Sequence, residues 1–285
     1  MPGRKSNYIF LLLLIFTVPA LAQRSYTHEL TVGMSPESPG YVESINYTNI
    51  NAAIVAMKSF SDPPLGPGQY GRIKIYPGTY IEQINSRYQN CNNLPKYCDL
   101  IGMGEQPEDV VVQHWSQYAQ GSFPISIVYA GIYAEGDNRI SNLKILNSKP
   151  TDENLGFVQN SLEFNGPGVV ENCIIESSHA ALIAREKLEL TGSYLSSLYV
   201  YCVQMFNADF YISDSQLIPR QASTNFEYPT GIYASYSSGT INNVQIISSG
   251  TYQGSTYSPS LTGIYHCGDS SDYIQVKDSI ISLSV

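Results

Sequence analysis

A six-residue pattern recurs six times between residues 140 and 281. It consists of an apolar residue, a variable residue, Asn, Asp or Gly, two variable residues, and then Ile or Leu. The residues at its third position are Asn142, Asn172, Gly192, Asp214, Asn243 and Asp278. A second motif, Gly-Ile-Tyr, is identical at 131–133, 231–233 and 263–265 and stands ahead of the first. Two motifs that keep phase in this way indicate a structural repeat.

The physical chemistry of the repeat favours a coil of short parallel strands. Apolar and polar residues alternate, and the strands are rich in Ile, Val and Tyr, which suit a pleated, half-buried surface. One coil alone cannot bury its apolar face, whereas coils stacked about 4.8 Å apart form a continuous core. Asn, Asp or Gly at the third position suits a corner that needs a left-handed residue. We therefore predict an all-β chain, a single-stranded right-handed parallel β-helix.

A two-sheet β-sandwich is the competing fold. It predicts hairpin turns such as Asn-Gly at regular spacing, because tight turns join antiparallel neighbours. The chain contains this dipeptide once, at Asn165-Gly166. The sequence therefore favours the β-helix.

The first residues have the layout of a secretory signal peptide. Arg4 and Lys5 form a basic start, an apolar run extends from Ile9 to Val18, and Ala20-Leu21-Ala22 is a small-x-small cleavage site. The apolar run is too short to span a bilayer. We predict a signal peptide at 1–22 and a secreted protein, extracellular or periplasmic, without membrane insertion. An uncleaved membrane anchor is the alternative.

The N-terminal part of the mature chain contains a predicted amphipathic helix from Asn49 to Phe60. Its apolar face consists of Ile50, Ala53, Ile54 and Met57. Its N-terminal cap is Thr48 or Asn49. We expect this helix to cap the first coil and to shield its strand edges.

A single β-helix domain is predicted at 23–285, with an N-terminal cap at about 23–70 and coils at about 71–285. The sequence stops at Val285, directly after a predicted core strand. We expect that edge either to pair with another molecule, giving self-association, or to continue in a longer chain.

The formal net charge of −9 limits the partners. An acidic surface disfavours nucleic acid and anionic lipid. It also disfavours an acidic polysaccharide unless a cation such as Ca²⁺ bridges the two. A neutral or methylated polysaccharide meets no such repulsion and is the predicted partner. No cofactor or metal site is predicted, because no Cys/His spacing resembles a zinc site.

Five cysteines in an exported chain leave at least one unpaired. Cys91 and Cys98 flank a short polar loop, and we expect them to form a disulfide. Cys173, Cys202 and Cys267 lie among apolar strand residues and are expected to be buried free thiols.

The stretch from Ile50 to Val112 resembles the opening of pectinesterases. Residues 50–54 are similar to that family's first helix, and 72–82 to its first strand and turn. Leu100-Ile101-Gly102-Met103-Gly104, followed by Val110-Val111-Val112, is similar to its next coil. Such motifs are shared widely among pectin-lyase-like β-helix proteins, so the resemblance implies the fold strongly and the activity weakly.

A pectinesterase needs a carboxylate nucleophile, a second carboxyl group, glutamine donors for the oxyanion, and an arginine that holds the nucleophile. Where the family has its first glutamine, this chain has His179. The expected Gln-Asp pair falls near Ser197 to Gln204, where no acidic residue occurs. The nucleophile's segment has only a remote counterpart at Glu227, and no arginine follows Arg220. The resemblance therefore implies a pectinesterase-like protein with a degraded catalytic set.

A rearranged catalytic site is the alternative. Charged residues on successive predicted coils form its candidate set: Glu163, His179, Arg185, Asp209 and Glu227. The corresponding activity would be that of a carbohydrate esterase or a polysaccharide lyase.

The chain has 23 tyrosines and one tryptophan. Tyrosine packs well in sheets, but a row of tyrosines along a β-helix also provides a groove for sugars. The candidate ligand-binding residues are Tyr199, Tyr201, Gln204, Tyr228 and Tyr233. The first hypothesis is a secreted, pectinesterase-like protein that binds extracellular, pectin-like polysaccharide. The alternatives are an active esterase or lyase and a structural or adhesive surface protein.

Overall fold

The structure is a computed structural model that describes residues 24–85, 91–114, 130–147, 160–198, 200–220, 229–249 and 262–284. The predicted signal peptide at 1–22 lies outside the described residues. One α-helix, α1, spans Ile50–Ser59, and short 3-10 helices span Glu43–Ile45 and Pro107–Asp109. The other regular elements in the described part of the chain are β-strands.

The strands in chain order are β1 Tyr26–Val32, β2 Asn46–Tyr47, β3 Tyr70–Ile75, β4 Gly78–Ile81, β5 Cys98–Gly102, β6 Val110–Gln113, β7 Ala130–Ala134, β8 Asn138–Ser141, β9 Lys144–Asn147, β10 Asn160–Phe164, β11 Gly168–Glu171, β12 Ile174–Ser177, β13 Leu182–Ala184, β14 Lys187–Thr191, β15 Tyr194–Ser197, β16 Tyr201–Phe206, β17 Asp209–Ser213, β18 Gln216–Pro219, β19 Thr230–Ser235, β20 Ser238–Asn242, β21 Gln245–Ser249, β22 Thr262–Cys267, β23 Ile274–Lys277 and β24 Ile280–Ser284.

These strands form three parallel sheets. Sheet 1 has the order β2-β1-β3-β5-β8-β11-β14-β17-β20-β23, sheet 2 the order β22-β19-β16-β13-β10-β7, and sheet 3 the order β24-β21-β18-β15-β12-β9-β6-β4. From β7 onward, each coil gives one strand to sheet 2, the next to sheet 1 and the next to sheet 3. Parallel pairing of every third strand is the topology of a β-helix, as predicted, and it excludes the antiparallel sandwich.

The core consists of apolar side chains stacked in register from coil to coil. In sheet 1, Leu100 pairs with Ile140, Ile140 with Val170, and Val170 with Leu190. All four side chains are fully buried. Because the same position is apolar in every coil, stacking the coils removes this surface from water and holds them together.

From β8 onward, each corner between sheets 1 and 3 contains a residue with positive φ at the third position of the six-residue pattern. These residues are Asn142, Asn172, Gly192, Asp214, Asn243 and Asp278. Two residues form the corner, for example Asn142 and Leu143 between β8 and β9. Left-handed conformations favour Gly, Asn and Asp, which explains the composition of this position and confirms the predicted corner.

The connections from sheet 3 to sheet 2 differ in length. β12 ends at Ser177 and β13 begins at Leu182, whereas β9 ends at Asn147 and β10 begins at Asn160. The differences in coil length that the sequence repeat shows therefore arise mainly beside sheet 2.

Helix α1 forms where the sequence predicts it. The Asn49 side chain accepts a hydrogen bond from the backbone N–H of Ala52 at 2.8 Å, and the Glu82 carboxylate accepts the N–H groups of Ile50 and Asn51 at 2.7 and 2.9 Å. A carboxylate at this end also interacts favourably with the helix dipole. The predicted apolar face is buried in the hydrophobic core. No helix among the described residues is long and apolar enough to cross a bilayer.

The prediction of a disulfide between Cys91 and Cys98 is wrong, because the two residues are not bonded to each other. Cys98 begins β5, and its side chain is fully buried in the hydrophobic core. Cys91 lies in the preceding connection and is only partly buried. The alternation of side chains along the strand, which sequence spacing alone does not reveal, directs the Cys98 thiol inward. Cys173 and Cys202 are buried, as predicted, whereas Cys267 is partly exposed.

Candidate functional site

The outer face of sheet 2 brings together most of the described candidate site residues. Strand register places one side chain per coil in a row across the sheet, and the row consists of Tyr133, Glu163, Ile183, Gln204, Tyr233 and Tyr265. The alternate residues Leu162, Leu182 and Val203 are fully buried in the core. Period-two alternation therefore directs the row away from the core.

Glu163 and Arg185 form an ion pair on this face. Arg185 donates from Nε and Nη2 to Oε1 of Glu163 at 3.0 and 2.9 Å. The Glu163 side chain is 4% exposed and the Arg185 side chain 45% exposed. The Arg185 guanidinium also lies over the Phe206 ring at 5.6 Å, within cation–π range. The carboxylate is thus held in place, while the cation reaches solvent.

Three tyrosines on neighbouring strands form an aromatic cluster. The Tyr233 ring lies 4.9 Å from that of Tyr201 and is stacked 5.3 Å from that of Tyr265. Phe206 is 6.1 Å from Tyr233 at a tilted angle. The Cys267 thiol beside the Tyr233 hydroxyl, at 3.8 Å, raises the pKa of this tyrosine. The hydroxyl therefore stays protonated at neutral pH.

In the row on sheet 2, Gln204 lies between the Glu163–Arg185 ion pair and the aromatic cluster. In register it stands beside Ile183 on one side and Tyr233 on the other, and it is partly exposed. An amide side chain offers two donors and an acceptor. The outer face of sheet 2 thus offers aromatic surface, an amide, a carboxylate and a guanidinium within neighbouring coils.

His179 and Asp209 do not lie in the row on sheet 2. His179 precedes β13, and its Nδ1 is 2.9 Å from Oδ1 of Asn160. Burial lowers the pKa of His179 to about 4, so its ring is neutral at pH 7. Asp209 begins β17 in sheet 1 and is exposed. Its neighbours in the strand register are Lys187 on β14 and Ser238 on β20. The fold therefore separates Asp209 from Glu163.

Glu227, Tyr228 and Tyr199 lie outside the described residues. For this reason their predicted roles stay predictions. Within the described part of the chain, no three His, Cys, Asp or Glu side chains form a group that could hold a metal ion.

Tyr265 and Phe206 belong to this face but were not among the sequence candidates. Tyr265 is in register with Tyr233 and is 49% exposed. The signal for Tyr265 was present in the sequence, because both tyrosines end identical Gly-Ile-Tyr triplets at the same phase of the repeat. Phe206 carried no such signal.

No protein-family model matches the chain, and a search of the curated proteins finds no match. Solved structures do match. A pectin methylesterase in complex with hexasaccharide VII superposes with a TM-score of 0.51 at 15% identity, over 78% of this chain. A mutant in complex with hexasaccharide IV gives a TM-score of 0.50 at 15% identity and the same coverage. The present chain spans 66% of the length of each of these two enzymes.

The Escherichia coli protein ybhc matches over 99% of this chain and 75% of its own, with a TM-score of 0.50 and 13% identity. At such identities the likeness concerns the fold. Together with the three parallel sheets, it shows that the chain has the β-helix fold of pectin methylesterases and other pectin-lyase-like proteins.

Proposed function

We propose that this protein is secreted and binds a neutral or methyl-esterified polysaccharide along the outer face of sheet 2, without esterase activity. The observation that carries the proposal is the cluster of Tyr201, Tyr233 and Tyr265 beside Gln204 and the Glu163–Arg185 pair. It lies on one face of a rigid sheet.

The chemistry of the face suits a sugar chain. Tyrosine rings pack against the apolar faces of sugar rings, and their hydroxyls, with the Gln204 amide, can hydrogen-bond sugar hydroxyls. Coils are spaced about 4.8 Å apart, so an extended ligand lying along the β-helix would meet new side chains at each coil.

The charge of the protein selects among polysaccharides. With a net charge of −9, the chain repels a polyanion at long range. A neutral or methyl-esterified chain avoids this repulsion. The solved pectin methylesterases with bound hexasaccharides support an oligosaccharide as the ligand class.

The described carboxylates fit binding better than ester hydrolysis. Glu163 is almost fully buried and bonded to Arg185, so it has little access to an ester carbonyl. Asp209, a candidate second carboxyl group, belongs to another sheet. An acid–base mechanism needs its groups within hydrogen-bond reach of the reacting atoms.

An active carbohydrate esterase is the second candidate, and one observation favours it. The Glu163–Arg185 pair is a carboxylate bonded to a guanidinium, with an amide donor, Gln204, two strands away in the same row. These are the kinds of group that the reaction requires. Displacement of the residues that cover Glu163 would have to expose it.

The binding experiment uses calorimetric titration of the protein with neutral oligosaccharides and with fully methyl-esterified oligogalacturonides. We expect binding, and for Tyr233→Ala a tenfold or greater loss of affinity, about 1.4 kcal/mol. Tyr211→Ala is the matched control, because Tyr211 is an exposed tyrosine on sheet 1. Equal losses in both variants, or no binding by the wild-type protein, would contradict the proposal.

The activity experiment measures methanol release from methyl-esterified pectin. We expect none above the uncatalysed rate. Release at an enzymatic rate that Glu163→Gln or Glu227→Gln abolishes would instead establish the esterase.

The organisation of the chain completes the proposal. We infer export through cleavage after residue 22, a single right-handed β-helix domain at 23–285, and capping of its first coil by α1 in a cap at about 23–70. N-terminal sequencing of the exported protein tests the cleavage. Self-association, which the adhesive alternative requires, is tested by sedimentation at several concentrations.

A further inference from the structure

A depression of about 500 Å³ opens on the outer surface of sheet 1, away from the outer face of sheet 2. Its lining, here called the arginine depression, consists of Arg24, Tyr26, Arg72, Ile101, Arg139 and Ser141. Three guanidinium groups around one cavity are unusual in a chain with a net charge of −9. Like charges placed together cost free energy unless anions neutralise them.

Each of the three guanidiniums has a carboxylate partner: Asp99 for Arg24, Glu29 for Arg72 and Glu171 for Arg139. Asp99, fully buried beneath the depression, accepts three hydrogen bonds: from Nη1 of Arg24 at 2.5 Å, from the hydroxyl of Tyr26 at 2.7 Å and from the backbone N–H of Arg139 at 2.7 Å. Glu29 pairs with Arg72 and with Lys74. These two carboxylates therefore fix Arg24 and Arg72 in place.

Arg139 is less well satisfied than the other two arginines. Its Nε is buried and has no hydrogen-bond partner in the structure, although Oε2 of Glu171 lies 3.5 Å away. A buried N–H group without an acceptor costs free energy.

Two of the three guanidiniums, those of Arg24 and Arg72, are also held against aromatic rings. Arg24 lies over the Tyr70 ring at 4.5 Å, and Arg72 lies over the Tyr26 ring at 4.6 Å. Among the described residues, the hydrogen bonds of Arg24 come from Nη1 alone, although each guanidinium has five N–H donors. Held in this way, the groups lose little further entropy when they bind a ligand.

We propose that the arginine depression binds an oxyanion through the guanidinium donors of Arg24, Arg72 and Arg139 that face it. The guanidinium fork matches the two oxygens of a carboxylate, sulfate or phosphate group. The volume is sufficient for a molecule the size of a sugar. The ligand is therefore a small acidic molecule, such as a uronic acid, or a free inorganic oxyanion. This site is independent of the sugar-binding face proposed on sheet 2.

The test is calorimetric titration of the full chain at low ionic strength with galacturonate, inorganic sulfate, inorganic phosphate and, as the neutral control, galactose. We expect at least one anion to bind, with an affinity that falls as salt is added. Binding of galacturonate alone identifies an acidic sugar, and binding of sulfate or phosphate identifies a free oxyanion. No anion binding better than galactose would overturn the proposal.

Substitutions then locate the site. Arg139→Gln should weaken anion binding at least tenfold, and Arg139→Lys less, because it keeps the charge but loses the fork. Arg220→Gln is the matched control, since Arg220 is exposed and lies at the end of a sheet 3 strand. If Arg139→Gln fails to fold, Arg72→Gln decides, because the Arg72 side chain is 30% exposed. Wild-type affinity in the folded variants would overturn the assignment.

Discussion

Single residues at the corner between sheets 1 and 3 stabilise the fold in two ways, through their backbone conformation and through a hydrogen bond between coils. Asn172 has a φ of 49°, a conformation that most side chains resist. Its amide also donates to Oδ1 of Asn142 at 2.9 Å, and that of Asn243 donates to Oδ1 of Asp214 at 2.7 Å. The corner residue therefore relieves backbone strain and links its coil to the one before it.

Replacing Asn172 by Leu should remove both contributions. We expect a loss of about 1–2 kcal/mol from the left-handed backbone, with a further loss of about 1 kcal/mol from the hydrogen bond. Asn172→Gly should retain the backbone benefit and lose mainly the hydrogen bond. Urea denaturation midpoints measure the differences.

Asn165→Leu serves as the control, because Asn165 is exposed and its φ is not positive. Equal midpoints for Asn172→Leu and Asn165→Leu would show that the corner does not contribute in this way.

Among the elements, β19 and β22 explain why the Gly-Ile-Tyr motif begins with glycine. A Cβ on Gly231 would lie 2.5 Å from Cγ2 of Ile246 and 2.7 Å from the carbonyl oxygen of Gly263. A Cβ on Gly263 would lie 2.5 Å from Cγ2 of Ile281. Sheet 2 thus approaches side chains of sheet 3 so closely that only glycine fits, and the tyrosine two residues later is fixed on the outer face.

Gly231→Ala should therefore force β19 away from its neighbours. We expect a destabilisation of about 1–3 kcal/mol from overpacking, and a loss of sugar affinity, since Tyr233 moves with the strand. Gly66→Ala is the control, because no atom lies within 4 Å of the added Cβ and the φ of Gly66 is not positive. A Gly231→Ala protein as stable as Gly66→Ala would contradict this account of the motif.

For the whole molecule, the fully buried His114 and the partly buried His179 link stability to pH. Burial lowers the pKa of His114 and of His179 to about 4, below the ordinary value of 6.5. Between these values the unfolded chain binds protons that the native chain excludes. The free energy of unfolding should therefore fall as pH drops from about 6.5 towards 4 and be insensitive to these groups above that range.

The fully buried His114 permits a direct test. Between pH 7 and pH 5 it should account for a loss of roughly 2 kcal/mol in the free energy of unfolding. His114→Leu should reduce the pH dependence by that amount, whereas His266→Gln, at an exposed position, should leave it unchanged. Unfolding curves at the two pH values provide the measurement. An unchanged dependence in His114→Leu would exclude His114 as a source.

The repeat was predictable from the sequence because its corners and core positions are set by local chemistry. Asn142 and Asn172 indicate a bend because asparagine tolerates the left-handed conformation. Ile140 and Val170 indicate a buried face because they are apolar at the same position of each repeat. The side-chain contacts on the surface could not be predicted from the sequence in the same way, because they depend on the register between strands that are distant along the chain. The ion pair between Glu163 and Arg185 could not be predicted from the sequence. It forms because the coil between the two residues has the length that places them on neighbouring strands, and that length was not known in advance.

The two-residue corner and the variable connections beside sheet 2 also determine where this chain can change in evolution. The free energy of closing a flexible loop grows only by about 0.6 kcal/mol for each doubling of its length. Residues inserted after β9 or β12 would leave the stacking of the coils unaltered, whereas one inserted at Asn142 would reverse the facing of every side chain in β9. Descendants of this sequence can therefore remodel the border of the outer face of sheet 2 by gaining or losing residues there, while the framework that spaces the tyrosines is inherited intact.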